Sequence, residues 1–181
     1  MAKKFNKDEL FEDFSRSTIE AFTLMEPLFG VNILTSFFGL GEEELNTPEG
    51  AEKATQLCRQ SPAGVGLNEL YDYSVNGILD DGSCPDPMDR AVEVVIGGAE
   101  ILSLITTENS GPSEKWDQIV ALGDGRYGLD IGEDIEIKKL ALLADIDQRT
   151  VRNAVSAGEL DAIKVSGSTV ILNKSALKWL A

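Results

Sequence analysis

The sequence predicts a mainly α protein, with a helical N-terminal domain followed by a small C-terminal domain whose helices flank one short β-hairpin. Three observations predict it. Apolar residues recur at three- and four-residue spacing through the N-terminal part, the period of helices that bury one face. Two helix starts there are spelled out in cap and proline chemistry, Thr47-Pro48-Glu49 and Asp86-Pro87. The clearest apolar–polar alternation around a turn, AIKVSGSTVIL, lies near the C-terminus.

Length and composition narrow the function classes. A chain of 181 residues with 43% hydrophobic content has room for one large or two small domains. The longest apolar stretches, residues 28–40 and 91–105, are broken by Asn32, Glu93, Glu100 and several glycines. They fall short of the roughly 18 residues a membrane crossing needs. The N-terminus MAKKFNKDEL turns acidic and amphipathic at once, so an unprocessed cytoplasmic protein is expected. Cys58 and Cys84 are too few and too isolated for a disulfide framework or zinc site, and histidine is absent. They read as structural thiols, with no metal and no cofactor expected. Without histidine no Ser-His-Asp or Cys-His triad can be built. Carboxylate or lysine chemistry stays formally open, but no constellation argues for it and the protein is not read as an enzyme.

The formal charge is −15 and unevenly spread. From Ile135 onward seven basic residues face five acidic ones, a net +2, which leaves −17 for the rest. An acidic body joined to a mildly basic end suggests an interaction module there.

Taken in order, residues 8–26 place Leu10, Phe11, Phe14, Ala21, Phe22 and Met25 on one helical face, and Pro27 ends or kinks the helix. In FGVNILTSFFGL, Phe29, Ile33, Leu34, Phe37 and Phe38 are expected either in the core or at the centre of a dimer interface. Thr47 caps a helix running to about Gln60. Leu67, Leu70, Tyr71, Val75 and Ile78 continue the helical period until Asp80-Asp81-Gly82 closes it. The helix opened by Asp86-Pro87 carries Ala91, Val92, Val95, Ile96, Ala99, Leu102 and Ile105 on its stripe, and Gly97-Gly98 is read as a close packing point. GGAE lacks the spacing and the Lys-Ser/Thr of a phosphate loop. DDGSCPDPMD lacks the ligand alternation and closing Glu of a calcium loop, and is assigned to turns and caps. Ser113 caps a short helix with Trp116, Ile119 and Val120. GDGRYGLDIGED, with four glycines, then reads as a linker over residues 124–134, in which Tyr127, Leu129 and Ile131 form a short strand or extended strap packed on one of the domains. The domains expected are therefore residues 1–123 and 135–181.

In the C-terminal domain Leu140, Ala141 and Ala144 share a face of a short helix. Asp145-Ile146 makes a turn suited to a residue with positive φ. Asp147 caps a second helix with Val151, Ala154 and Val155 inward and Gln148, Arg149, Arg152 and Asn153 outward, and Gly158 terminates it. The hairpin centred on Ser166-Gly167-Ser168 follows. A last helix starting at Asn173 or Ser175 packs Ala176, Leu177 and Leu180 inward, with Trp179 over the sheet edge. The motifs LALLADI, TVRNAV, GEL and ALKWL at these spacings resemble the excisionase-type branch of winged helix-turn-helix proteins, related to the mercury-resistance regulators. The resemblance covers about a quarter of the chain.

The resemblance implies a second helix that enters the major groove and a wing that contacts backbone or minor groove. On this chain the DNA-binding candidates are Gln148, Arg149, Thr150, Arg152 and Asn153, with Lys138 and Lys139 beside them and Lys164, Ser166 and Ser168 on the wing. Arg pairs naturally with guanine, and Gln or Asn with adenine. The wing tip carries serine and glycine where such wings hold arginines, and Glu136 stands where Ser or Thr would cap the first helix. Lys138, Lys139, Arg149, Arg152 and Lys164 engage about three to five phosphates, so two copies are needed for firm binding. The expected function is a homodimeric regulator or excisionase-like factor on double-stranded DNA, its acidic body supplying dimerisation or a protein contact. The alternative is a non-enzymatic adaptor whose winged domain binds another protein.

Overall fold

The computed structural model describes residues 6–29, 32–79, 86–106 and 114–181, and the protein is mainly helical with a small three-stranded antiparallel sheet. The chain forms two compact units. One draws on Asn6–Glu69 and Ile96–Asp117, the other on Leu70–Val95 and Gln118–Ala181.

In the first unit α1 (Lys7–Phe29) buries Leu10, Phe11, Phe14 and Ala21 of the predicted stripe, while Phe22 and Met25 are half-buried. Pro27 does not end it. A proline in the last turn forfeits only the hydrogen bond to the Thr23 carbonyl, at an exposed residue that water can satisfy. Asn32 caps α2 (Ile33–Phe38), its side chain accepting the Thr35 N–H. Only part of the expected aromatic core is internal: Leu34 and Phe38 are buried, whereas Phe29 and Phe37 are 66% and 44% exposed. After α3 (Glu42–Leu45), α4 (Pro48–Gln60) starts as its cap chemistry requires, with Thr47 Oγ1 accepting the Gly50 N–H. α4 packs along α1 and brings buried Cys58 beside Ser15 and Thr18.

Helix α5 (Pro62–Tyr71) runs into a widened π turn at Asp72–Asn76, and Gly77 at φ 67° stops the helix before the expected close. Ile78 is consequently exposed instead of on the stripe. Asp80-Asp81-Gly82, Cys84 and the Ser113 cap lie outside the described residues. α6 (Pro87–Ile105) buries Ala91, Val95 and Leu102 as expected, but Val94 is buried and Ile96 exposed. A Cβ at Gly97 would meet nothing within 4 Å, so no close crossing needs that glycine, whereas Gly98 beside it is buried; Gly66 lies close to Ile101.

The largest correction concerns residues 124–134. Helix α7 (Glu114–Asp130) passes straight through Gly123, Gly125 and Gly128, and no strand or strap forms at Tyr127, Leu129 and Ile131. Gly123 and Gly125 serve close packing: a Cβ at Gly123 would fall 2.5 Å from Ser74 Oγ, and one at Gly125 3.0 Å from the Lys139 Cβ. The stop comes at Gly132, φ 86°, where Gly132 N–H bonds Leu129 O and Glu133 N–H bonds Gly128 O. That pair of bonds is a Schellman cap.

The winged domain follows as β1 (Ile135–Glu136), α8 (Ile137–Leu143), α9 (Gln148–Ser156), β2 (Ala162–Val165), β3 (Ser168–Ile171) and α10 (Asn173–Leu180). β3 is central, pairing with β1 through Ile135↔Ile171 and with β2 from Ala162↔Ile171 to Val165↔Ser168. The two-residue loop Ser166-Gly167 has φ of 51° and 88°, the positive values of the turn that matches strand twist. Leu140, Val151, Ile171 and Ala176 form the centre of the core, joined by Leu129 from α7. Trp179 and Leu180 pack against it, but Leu177 is 47% exposed, a correction to its expected inward position.

Candidate nucleic-acid interface

The helix-turn-helix is built by two caps in succession. α8 ends with Asp145 at φ 54°, its N–H bonded to Leu142 O, while Ile146 N–H bonds Ala141 O. Those two bonds make a second Schellman cap, with Asp in the left-handed position that glycine usually holds. Asp147 Oδ1 then accepts the Arg149 N–H at 2.6 Å and starts α9. Glu136, at the N-cap of α8 where Ser or Thr would serve, makes no side-chain cap bond. α9 ends in the same manner, with Gly158 at φ 75° and Glu159 N–H on Ala154 O.

These caps fix which side of α9 is free. Val151 and Ala154 are buried, so the 3.6-residue period turns Arg149, Arg152 and Asn153 to the opposite side, and all three are exposed. Thr150 is exposed at one margin. Gln148 is half-buried at the other, where its Oε1 accepts from Arg152 Nη2 at 3.1 Å. That bond orients the Arg152 guanidinium and leaves its other donors available. Arg149 contributes only its backbone N–H to the cap, so its guanidinium is unengaged among the described residues.

The flanking candidates divide. Lys138 is exposed on α8, but Lys139 forms an ion pair with Asp124 of α7 and is half-buried. This pair removes one cation from the surface expected for phosphate contact. Lys164, Ser166 and Ser168 are exposed on the wing with Gly167 between the serines. Beside Lys164 on β2 stand Ile163 and Val165, 45% and 50% exposed. By strand alternation the wing presents Lys164 on one face and Ile163 and Val165 on the other.

Leu129 packs in the core as the sequence predicts for a segment lying on a domain, but it does so from helix α7 and not from a strand or strap. Asn173, beyond starting the last helix, bonds through its side-chain amide to Leu129 O and Glu133 O, while its backbone N–H bonds Asp134 Oδ1, a role the sequence does not reveal. The signal available for α7 was Gly132 after an apolar helical stripe, the ordinary mark of a helix end. Farther along α7, Asp130 accepts the Tyr73 hydroxyl at 2.8 Å and Arg126 Nε donates to Ser74 O. Burial, together with the Asp130 carboxylate, pushes the Tyr73 phenol well above its ordinary value.

Among the described residues no group of His, Cys, Asp or Glu is placed to hold a metal ion, and no helix is long and apolar enough to cross a membrane. Burial pushes the Cys58 thiol up, against hydrogen bonds with Ser15 and Thr18. No protein family, no curated protein and no solved structure matches this chain.

Proposed function

We propose that this protein reads double-stranded DNA as a homodimeric transcriptional regulator or excisionase-like factor, with α9 in the major groove and the wing on the backbone. The observation that carries the reading is the outward face of α9, where Arg149, Arg152 and Asn153 are exposed opposite the buried Val151 and Ala154. Arginine and asparagine offer paired donors and acceptors to guanine and adenine edges. Lys138 and Lys164 supply further charge, and Lys139 is held by Asp124. The weak charge of one copy favours two.

The test is selection of a randomised duplex library at low salt with the full chain and an Arg149→Ala, Arg152→Ala variant. A sequence motif enriched by the native chain and lost by the variant supports the proposal. Absence of enrichment, or the same enrichment in both, sinks it. An adaptor function is the second reading, favoured by Ile163 and Val165 on an edge strand where a DNA-contacting wing would gain from cations. It predicts a partner contact weakened by Ile163→Ser and unaffected by the α9 arginine changes.

A further inference from the structure

In the unit built from Asn6–Glu69 and Ile96–Asp117, α1 and α4 wall a groove of about 1190 Å³. Residues of α1 line it every three or four positions from Asp8 to Leu24, and α4 lines the facing side from Pro48 to Arg59. By the helical rise of 1.5 Å per residue the α1 wall is about 24 Å long, the length of a four-turn helix.

Three features state what fits. The lining includes the apolar Ile19, Leu24, Leu34, Leu45 and Ala51. The walls carry Asp8, Glu12, Glu20, Glu42 and Glu52 against only Arg16 and Arg59, and both arginines are already ion-paired, with Asp13 and Asp8. Glu20 Oε2 is buried and has no hydrogen-bond partner among the described residues. A carboxylate oxygen out of water without a donor is unfavourable and is relieved by a cationic donor arriving from outside.

We infer that the groove takes a basic amphipathic helix of a protein partner, its apolar stripe on the apolar lining and its Lys or Arg residues against Glu12, Glu20 and Glu52. An apolar seat flanked by one sign of charge is how an amphipathic helix is recognised. A second copy of this chain is the poorer occupant, because at net charge −15 it adds like charge. A small polycation would leave the apolar lining unused. The inference does not depend on DNA binding, since no residue of α9 or the wing takes part.

The probe is a fluorescent 18-residue peptide with leucines at helical spacing and lysines on the flanks, titrated against the full chain by fluorescence anisotropy. Its Lys→Glu counterpart, a sequence-scrambled version and spermine as competitor complete the set. Saturable binding of the basic helix is expected, at least tenfold weaker with Glu20→Gln, Glu52→Gln and also weaker with Leu24→Ser. Leu24 is half exposed and the Glu→Gln changes keep shape, so these variants keep the fold. No binding at 100 µM protein (about the weakest affinity worth assigning to a specific groove), equal binding of the scrambled peptide, full displacement by equimolar spermine, or no loss in the variants overturns the inference.

Discussion

At the scale of the residue, backbone conformation and local space decide the outcome of small changes. Gly158 holds φ 75° at the end of α9 and a Cβ there meets nothing within 4 Å, so Gly158→Ala bears only the left-handed penalty, about 1 kcal/mol. Gly97 lies inside α6, also with open space, so Gly97→Ala gains about 0.5–1 kcal/mol. Urea midpoints of the two variants should move in opposite directions; movement the same way contradicts this account. Tyr73 gives a pH dependence of definite sign. Its ordinary value is 10.0 and the folded one is higher, because burial and Asp130 oppose the phenolate. The contribution is therefore full below pH 10 and is lost as pH rises above it, when the unfolded chain releases a proton the folded one keeps. Native protein should lose about 1.4 kcal/mol per pH unit more than Tyr73→Phe in that range. Parallel curves would show that Tyr73 titrates alike folded and unfolded.

At the scale of the element, cap chemistry was legible and crowding was not. Thr47, Asp86, Asp147 and Gly158 stand at helix ends as their side chains dictate, because a cap is a contact within a few residues. The Asp145 turn and the Ser166-Gly167 hairpin were legible for the same reason. The glycines of α7 were misread because their role is set by partners far along the chain: Ser74 crowds Gly123, and Lys139 crowds Gly125. A local reading sees four glycines and infers a linker. Within the candidate site, exposure of the α9 face followed from helical period, whereas the capture of Lys139 by Asp124 did not. The α7 joint gives its own prediction. Leu129 is 5% exposed in the winged core, so Leu129→Ala should lower unfolding stability by about 2–4 kcal/mol. A neutral change, the behaviour of a linker residue, would contradict the observed packing.

At the scale of the whole molecule, the electrostatic contrast governs. A chain of net charge −15 is repelled by nucleic acid overall, so binding has to come from one local face and to gain from a second copy. Leu28 and Phe29 are 80% and 66% exposed at the end of α1, and the proposed dimer is expected to cover them. Light scattering should give a dimer at tens of micromolar (about the range where a modest apolar interface holds) and a monomer for Leu28→Glu, Phe29→Glu; a native monomer removes that part of the proposal. The most direct test of DNA reading is the salt dependence of affinity for the selected duplex. With Lys138 and Lys164 of each copy on phosphates and Arg149 and Arg152 on base edges, the slope of log K against log salt should be about −4 for a dimer. Arg149→Ala, Arg152→Ala should keep about that slope and lose the preference for the selected duplex over a scrambled one. Affinity indifferent to salt, or a preference undiminished in the variant, would show that the α9 face does not read DNA.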